Sequence, residues 1–449
     1  MTGEETSGPS IDVPEATQEA SPMRWLYVFV IGLGFFTTGV SWSVYNSFLP
    51  ADFLPTFIGG EFQNTIIGAI MVLDNIFAFF MQSHIGARSD KTRTRWGRRI
   101  PWIMIGTPLS AAFFVLIAYG WAMGSFWLMF AMITVFNVSM ALYRAPVVAL
   151  MPDVVPSEQR SKANGVINLM GGIGAVYAFA IASQIYKIND PVWASILGVT
   201  PSQTGPVLTF LSTSLIMIAA IVILFVVIKE PPTPPVDSQK PKEIGIIKAV
   251  RLVSTLEDRS ALAILGAIFL WFIGFNALET WFTKYGNEIL GFLTADATFL
   301  MTAFSLTFVL FAIPAGFIPS KFGRRNTIIV GLIGLIVSLS VAAIQTDYVM
   351  LLIILAFGGL FWALINVNSI VMVWELVGTS RLGAGTGMYY LFSMGAAITG
   401  PLLTGFIFDL TSLSFLFPVA VVFIFLALIL TLTVKTGEVG DESSSELAK

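Results

Sequence analysis

The chain has 449 residues, of which 56% are hydrophobic and only 11% charged, with 38 Phe, one His and no Cys. A soluble globular chain carries about 25% charged residues, so this composition excludes an ordinary cytosolic enzyme, a disordered chain and a nucleic-acid binder. The net charge of -3 is small; the lack of Cys excludes disulfides, thiolate metal sites and cysteine nucleophiles, and a lone His leaves no room for a multi-His metal site.

Residues 1–22 are acidic, rich in Ser, Thr and Pro and free of aromatics, and read as a disordered cytoplasmic tail. No basic segment precedes a short apolar core there, so no cleavable signal peptide is expected. Apolar runs long enough to cross a bilayer lie near 24–48, 64–85, 100–121, 126–149, 163–185, 206–228, 260–283, 297–318, 326–344, 348–373, 383–408 and 412–434. They are continuous rather than alternating, which excludes a transmembrane β-barrel. The expected fold class is all-α integral membrane, with twelve transmembrane helices. The longest polar interruption, 229–259, begins Pro-rich. It reads as a cytoplasmic linker between an N-terminal six-helix bundle (23–228) and a C-terminal one (260–434), followed by a cytoplasmic tail over 435–449.

Lys and Arg set the orientation. With the N-terminus inside, 21 of the 24 fall in inner segments, Lys187 and Lys284 fall in outer loops, and Arg144 lies within a span. A multi-pass protein of the cell membrane with both termini cytoplasmic is expected.

The halves repeat. Gly86, Asp90, Gly97, Arg98 and Arg99 follow span two, as Gly316, Gly323, Arg324 and Arg325 follow span eight. Asp153 then Arg160 follow span four, as Glu375 then Arg381 follow span ten. Two pseudo-symmetric bundles with equivalent charged loops are a mark of secondary transporters. The glycines of Gly171-Gly172-Ile173-Gly174 and Gly383–Gly387 have no preceding strand, so they read as points of close helix approach rather than nucleotide loops. With no P-loop visible, ATP is not expected to drive the protein, and no nucleophile–base or metal set suggests an enzyme.

These residues resemble the major facilitator superfamily. The segment from Gln82 to Trp102, with extra residues between Asp90 and Gly97, and the run Arg144-Ala-Pro146 to Asp153 are similar to the glycoside–pentoside–hexuronide cation symporters and their plant sucrose–proton relatives. The resemblance implies a sugar or glycoside carrier working by alternating access. It also implies a gating role for Gly86, Asp90, Gly97, Arg98, Arg99, Gly316, Gly323, Arg324 and Arg325, while the repeat of Glu375 with Asp153 suggests a charge pair with Arg381 at the cytoplasmic gate. The chain departs from the family's acids. The two in span two of melibiose-type sodium symporters would fall at Ala78 and Gln82, that in span four at Arg144, and that of plant sucrose symporters at Asn137. The partner cation is therefore expected to be a proton rather than sodium.

Ionisable residues inside a bilayer are costly and need a reason. Asp74 lies mid-span on the face shared with positions 78 and 82. A carboxyl removed from water favours its neutral form, so Asp74 reads as the cation-coupling residue, with Arg144 of span four linking it to substrate; a fixed Asp74–Arg144 pair is the structural alternative. Glu279 lies in span seven, three residues after Asn276, and reads as an outer-gate or substrate residue or as a solvated helix end. Asp409 reads as solvated and His84 as interfacial. For substrate, Trp42 and Tyr45 share a face of span one with Thr38; Trp362, Asn366 and Ser369 share a face of span ten; Asn137, and Tyr389 with Ser393, join them. The expected partners are a small-molecule substrate, a coupling cation and the lipid bilayer, with no cofactor, metal or nucleic acid. An organic-anion facilitator or exporter and a non-transporting membrane sensor remain the alternatives.

Overall fold

The structure is a computed structural model, and it describes residues 25–156, 159–230, 259–377 and 382–435. The tail over 1–22, linker residues 231–258, residues 436–449 and Arg381 lie outside the described residues. Twelve helices among the described residues are long and apolar enough to cross a membrane. They are Trp25–Phe53, Gln63–Gln82, Ile100–Ala122, Phe126–Val154, Ala163–Tyr186, Pro201–Val227, Arg259–Glu288, Thr294–Phe317, Arg324–Ala342, Tyr348–Val377, Gly385–Leu410 and Leu413–Thr433, spans one to twelve. No β-strand occurs among the described residues, because backbone N–H and C=O groups in hydrocarbon must be satisfied within a helix or a closed barrel.

Several helices run past the apolar limits read from the sequence. Span four reaches Val154, span seven Glu288 and span ten Val377, since backbone hydrogen bonding continues where the neighbouring helices, rather than lipid, supply the surroundings. Span seven thereby takes in Lys284, which the charge count places in an outer loop; it is instead fully buried. Glu230, expected in the linker, is also buried. Its carboxylate accepts from the backbone N–H groups of Arg99 (2.7 Å) and Ile100 (3.2 Å), at the start of span three. Span two changes character at Val72, between helices Gln63–Met71 and Leu73–Lys91, so Asp74 stands in the first turn of the second helix.

The two halves pack alike. In the first, span three meets four and six, one meets five and six, and two meets four. In the second, span nine meets ten and twelve, seven meets eleven and twelve, and eight meets ten, the same set six spans later. Span two against eleven, five against eight, and one against seven join the halves.

Small residues let these helices approach closely, as membrane packing requires. At the one–five contact, a Cβ on Gly39 would collide with the Gly171 backbone, and one on Gly174 with the backbone of Phe36 and Val40. Gly39→Leu is therefore expected to destabilise the bundle by about 1–3 kcal/mol, seen as a lower melting temperature of the purified protein in detergent. Gly165→Ala, inside a helix and with open space around it, should not lower the melting temperature, since Ala is the better helix former.

Candidate functional site

The ionisable residues of the span interiors converge. Asp74 of span two lies within electrostatic reach of Arg144 in span four and Glu279 in span seven. Its carboxylate accepts a hydrogen bond from the neighbouring Asn75 amide at 2.8 Å, not from Arg144. Arg144 makes no hydrogen bond or direct ion pair among the described residues, although Tyr143 and Tyr390 of span eleven stand in its field. Glu279 accepts from Asn46 Nδ2 of span one at 3.2 Å, a bond between the halves. Spans two, four and seven thus bring charge to one central region, to which spans one and eleven add Asn46 and Tyr390.

Beside it lies a patch of buried polar atoms with no protein partner: Trp42 Nε1, Tyr45 Oη and both side-chain polar atoms of Asn137. The Trp42 and Tyr45 rings stand edge to face at 5.5 Å, and Phe136 packs on both. Tyr45 also lies near Asp74, and its hydroxyl faces Asn137 without forming a well-aligned bond. Buried polar groups are nearly always paired, so these four atoms near the Asp74 carboxylate leave hydrogen-bonding capacity unused.

The second half contributes less. Trp362 is buried and stacks on Phe275 at 4.2 Å. The Asn276 amide is spent on the Phe272 carbonyl, at 2.7 Å on its own helix. Asn366 is partly exposed, while Ser369 donates to the Tyr389 hydroxyl at 3.3 Å. His84 is exposed.

The Gly-Arg-Arg loops build two related charge clusters, each inside its own half. Arg98 and Arg99 both bind Asp153, and Arg99 also reaches Asp90 and the Ser89 hydroxyl. In the second half Arg324 binds Glu375 through Nε at 2.9 Å and Nη2 at 2.7 Å, and reaches Asn368. Asp153 and Glu375 are therefore equivalent, as the repeat suggests, but Glu375 takes its partner from Arg324 rather than from Arg381, which lies outside the described residues. Arg325 donates to the carbonyls of Thr431 and Leu432, tying span nine to span twelve. Of the loop glycines, Gly97 and Gly323 have φ of +105° and +77°, a region closed to most side chains. Gly86 and Gly316 have no such requirement; the Gly86 carbonyl accepts from Ser89 Oγ.

At the opposite end, Asp409 is not merely solvated. It accepts four hydrogen bonds from span two of the other half: the backbone and side chain of Asn64, both at 2.9 Å, and the backbone and hydroxyl of Thr65 at 2.7 and 2.6 Å. The Lys284 ammonium donates to the Asn64 carbonyl oxygen, and Lys187 pairs with Asp296 at 2.5 Å. In the sequence Asp409 reads as solvated, and Lys187 and Lys284 as outer-loop residues, because they lie at span ends, where charge is ordinarily solvated. Their only signal was Lys284, a basic residue within helical reach of span seven.

A family model described as MFS/sugar transport protein matches residues 30–386. The chain belongs to this family. It is a transporter of the major facilitator type, a multi-pass membrane protein and not an enzyme. Among curated proteins it is 28% identical over 148 residues to the lactose permease of Lactobacillus helveticus (31% of this chain, 22% of that one). It is 27% identical over 135 residues to the uncharacterized symporter sll1374 of Synechocystis (27% and 23%). These alignments span about a quarter of each relative's length. Among solved structures, a bacterial homologue of the human lysosomal transporter Spinster, inward-facing and occupied, superposes with a TM-score of 0.73 at 15% identity, over 92% of this chain and 97% of that one. A D-xylose–proton symporter does so with a TM-score of 0.64 at 16% identity, over 92% and 97%.

The loop cluster of this transporter yields a stability test. Asp153→Ala leaves two buried guanidinium groups without their shared carboxylate, a loss of about 3–5 kcal/mol for a buried pair. Glu375→Ala removes the partner of a more exposed Arg324, whose side chain is 15% accessible. Thermal unfolding in detergent should show the larger fall in melting temperature for Asp153→Ala.

Proposed function

We propose that this transporter carries a sugar or glycoside together with a proton, by alternating access about the central site. The observation that carries the reading is the juxtaposition of orphaned Trp42, Tyr45 and Asn137 polar atoms with Asp74 and Arg144. A sugar presents several hydroxyl groups and a partly apolar ring face, which match an aromatic, amide and charge lining. Asp74 is the proton carrier. While it is ionised, its field holds Arg144; once it is neutral, the guanidinium is free to bind substrate oxygens, so proton and substrate favour each other's binding. The names of the lactose permease, the Synechocystis symporter and the D-xylose–proton symporter agree with this reading.

The loop-bearing end, rich in Lys and Arg, is the cytoplasmic end of a cell-membrane protein with both termini inside. The links between the halves named above, Asn46 with Glu279, Asn64 and Thr65 with Asp409, and Lys187 with Asp296, lie toward the outer end. The loop clusters at the inner end stay within their own halves. That pattern supports an inward-facing state. The 86–99 loop and its counterpart after span eight act as the inner gate, steadying each bundle here and meeting across the interface when that end closes.

A second reading has its own support. A central Arg144 without a direct partner also suits an organic anion. Charge separates the two. A neutral sugar moving with one proton transfers net charge, and each 100 mV contributes about 2.3 kcal/mol. A monoanion moving with one proton transfers none.

In proteoliposomes, a potassium diffusion potential, negative inside, is expected to drive accumulation of a labelled sugar at equal pH on both sides. Asp74→Asn should abolish accumulation while leaving exchange of internal for external sugar intact. Uptake of carboxylates alone, indifferent to potential, would replace the sugar reading with the anion reading.

A further inference from the structure

We infer that Asp409 is the latch of the outer gate, acting as a helix cap supplied by one bundle to a helix of the other. Helix Gln63–Met71, the outer part of span two, begins at Phe62 without a side-chain cap of its own. Its first N–H groups therefore lack an intrahelical partner. The Asp409 carboxylate, from the last turn of span eleven, takes the N–H groups of Asn64 and Thr65 and also both of their side chains. A carboxylate at a helix N-terminus is favoured by the helix dipole as well as by charge-assisted hydrogen bonds.

The surroundings are shaped for this contact. Gly405, one turn before Asp409, lies against the Asn64 backbone, and Gly68 lies against the Pro401 carbonyl. A side chain at either glycine would hold the bundles apart. Asn64 is gripped on its other side by Lys284, which also pairs with Glu288 at 3.5 Å. Lys284 and Asp409 belong to the same half and lie within electrostatic reach of each other. When the outer end opens, Asn64 leaves, and Lys284 becomes the carboxylate's nearest cation. The open state thus recovers a partner for Asp409, while the span two N-terminus is rehydrated. Such an exchange keeps the two states close in free energy, as a carrier requires.

This inference concerns the conformational cycle and holds whatever the substrate and coupling ion are. Its test uses the Cys-free sequence. Spin labels on Cys introduced at the exposed positions Glu61 and Thr411 report the outer gap between the bundles by pulsed dipolar spectroscopy in nanodiscs. The parent protein is expected to show mainly the short distance. Asp409→Ala should raise the ratio of long to short distance at least about tenfold, the worth of one charge-assisted hydrogen bond. Asp347→Asn, a substitution at an exposed acid that caps the start of span ten, should not.

A purely structural role for Asp409 is separated by Phe62→Asp, which gives the span two helix an N-cap from its own half. Combined with Asp409→Ala, it should restore thermal stability while the long distance stays populated. If the double variant returns to the short distance, or if Asp409→Ala never leaves it, Asp409 is not the latch.

Discussion

Hydrocarbon offers no hydrogen bonds, and every feature of this transporter answers to that constraint. Backbone groups close upon themselves in helices. Hydroxyls fold back onto their own helix, as Ser110 does to the Gly106 carbonyl and Thr404 to the Gly400 carbonyl. Lys284, buried in span seven, is met by Asn64 and Glu288. Among the buried side-chain atoms without a partner, which include Thr107, Thr213, Trp271 and Thr302, those of Trp42, Tyr45 and Asn137 form a group near Asp74. A membrane protein keeps such groups at a cost in stability.

The two ends of the molecule are stabilised differently. At the loop-bearing end, Asp153 gathers two arginines of its own half, and Glu230 caps the start of span three. The energy there goes into keeping each bundle rigid. At the other end, Asp409, Lys284 and Lys187 reach for partners in the opposite bundle. Rigid bundles joined by a separable contact are what rocking motion needs. Strong bonds lie inside each body, and a few polar bonds join the bodies. Pseudo-symmetry supplies the frame, because the same helix pairings recur six spans later. The halves differ in their buried charge: Asp74 and Arg144, within electrostatic reach of each other, are in spans two and four, while Glu279 of the second half is tied to Asn46 of the first.

Much of this was legible in the residue order. Span number, two-fold repetition and the charged loops follow from hydropathy and from Lys and Arg placement, because burial in lipid acts on each segment independently of its neighbours. Asp74 and Arg144 were legible for the same reason: an ionisable side chain inside an apolar run is conspicuous wherever the run packs. Trp42 and Tyr45 shared a helix face with Thr38, yet Trp362, Asn366 and Ser369 on span ten did so too, and Asn276 of span seven bonds its own helix. Helical periodicity says which residues share a face but not what that face meets.

What the sequence by itself determined is the set of twelve membrane-crossing helices and the charges stranded within them, since both depend only on local composition and the bilayer. Tertiary structure alone decided that Glu375 pairs with Arg324, that Lys284 is buried, that Glu230 belongs to the first bundle and that Asp409 caps a helix of the other half. Each of these is a contact between segments far apart in the chain. Its existence depends on how helices are rotated and stacked, a choice made by the packing of many side chains at once and carried by no single stretch of sequence.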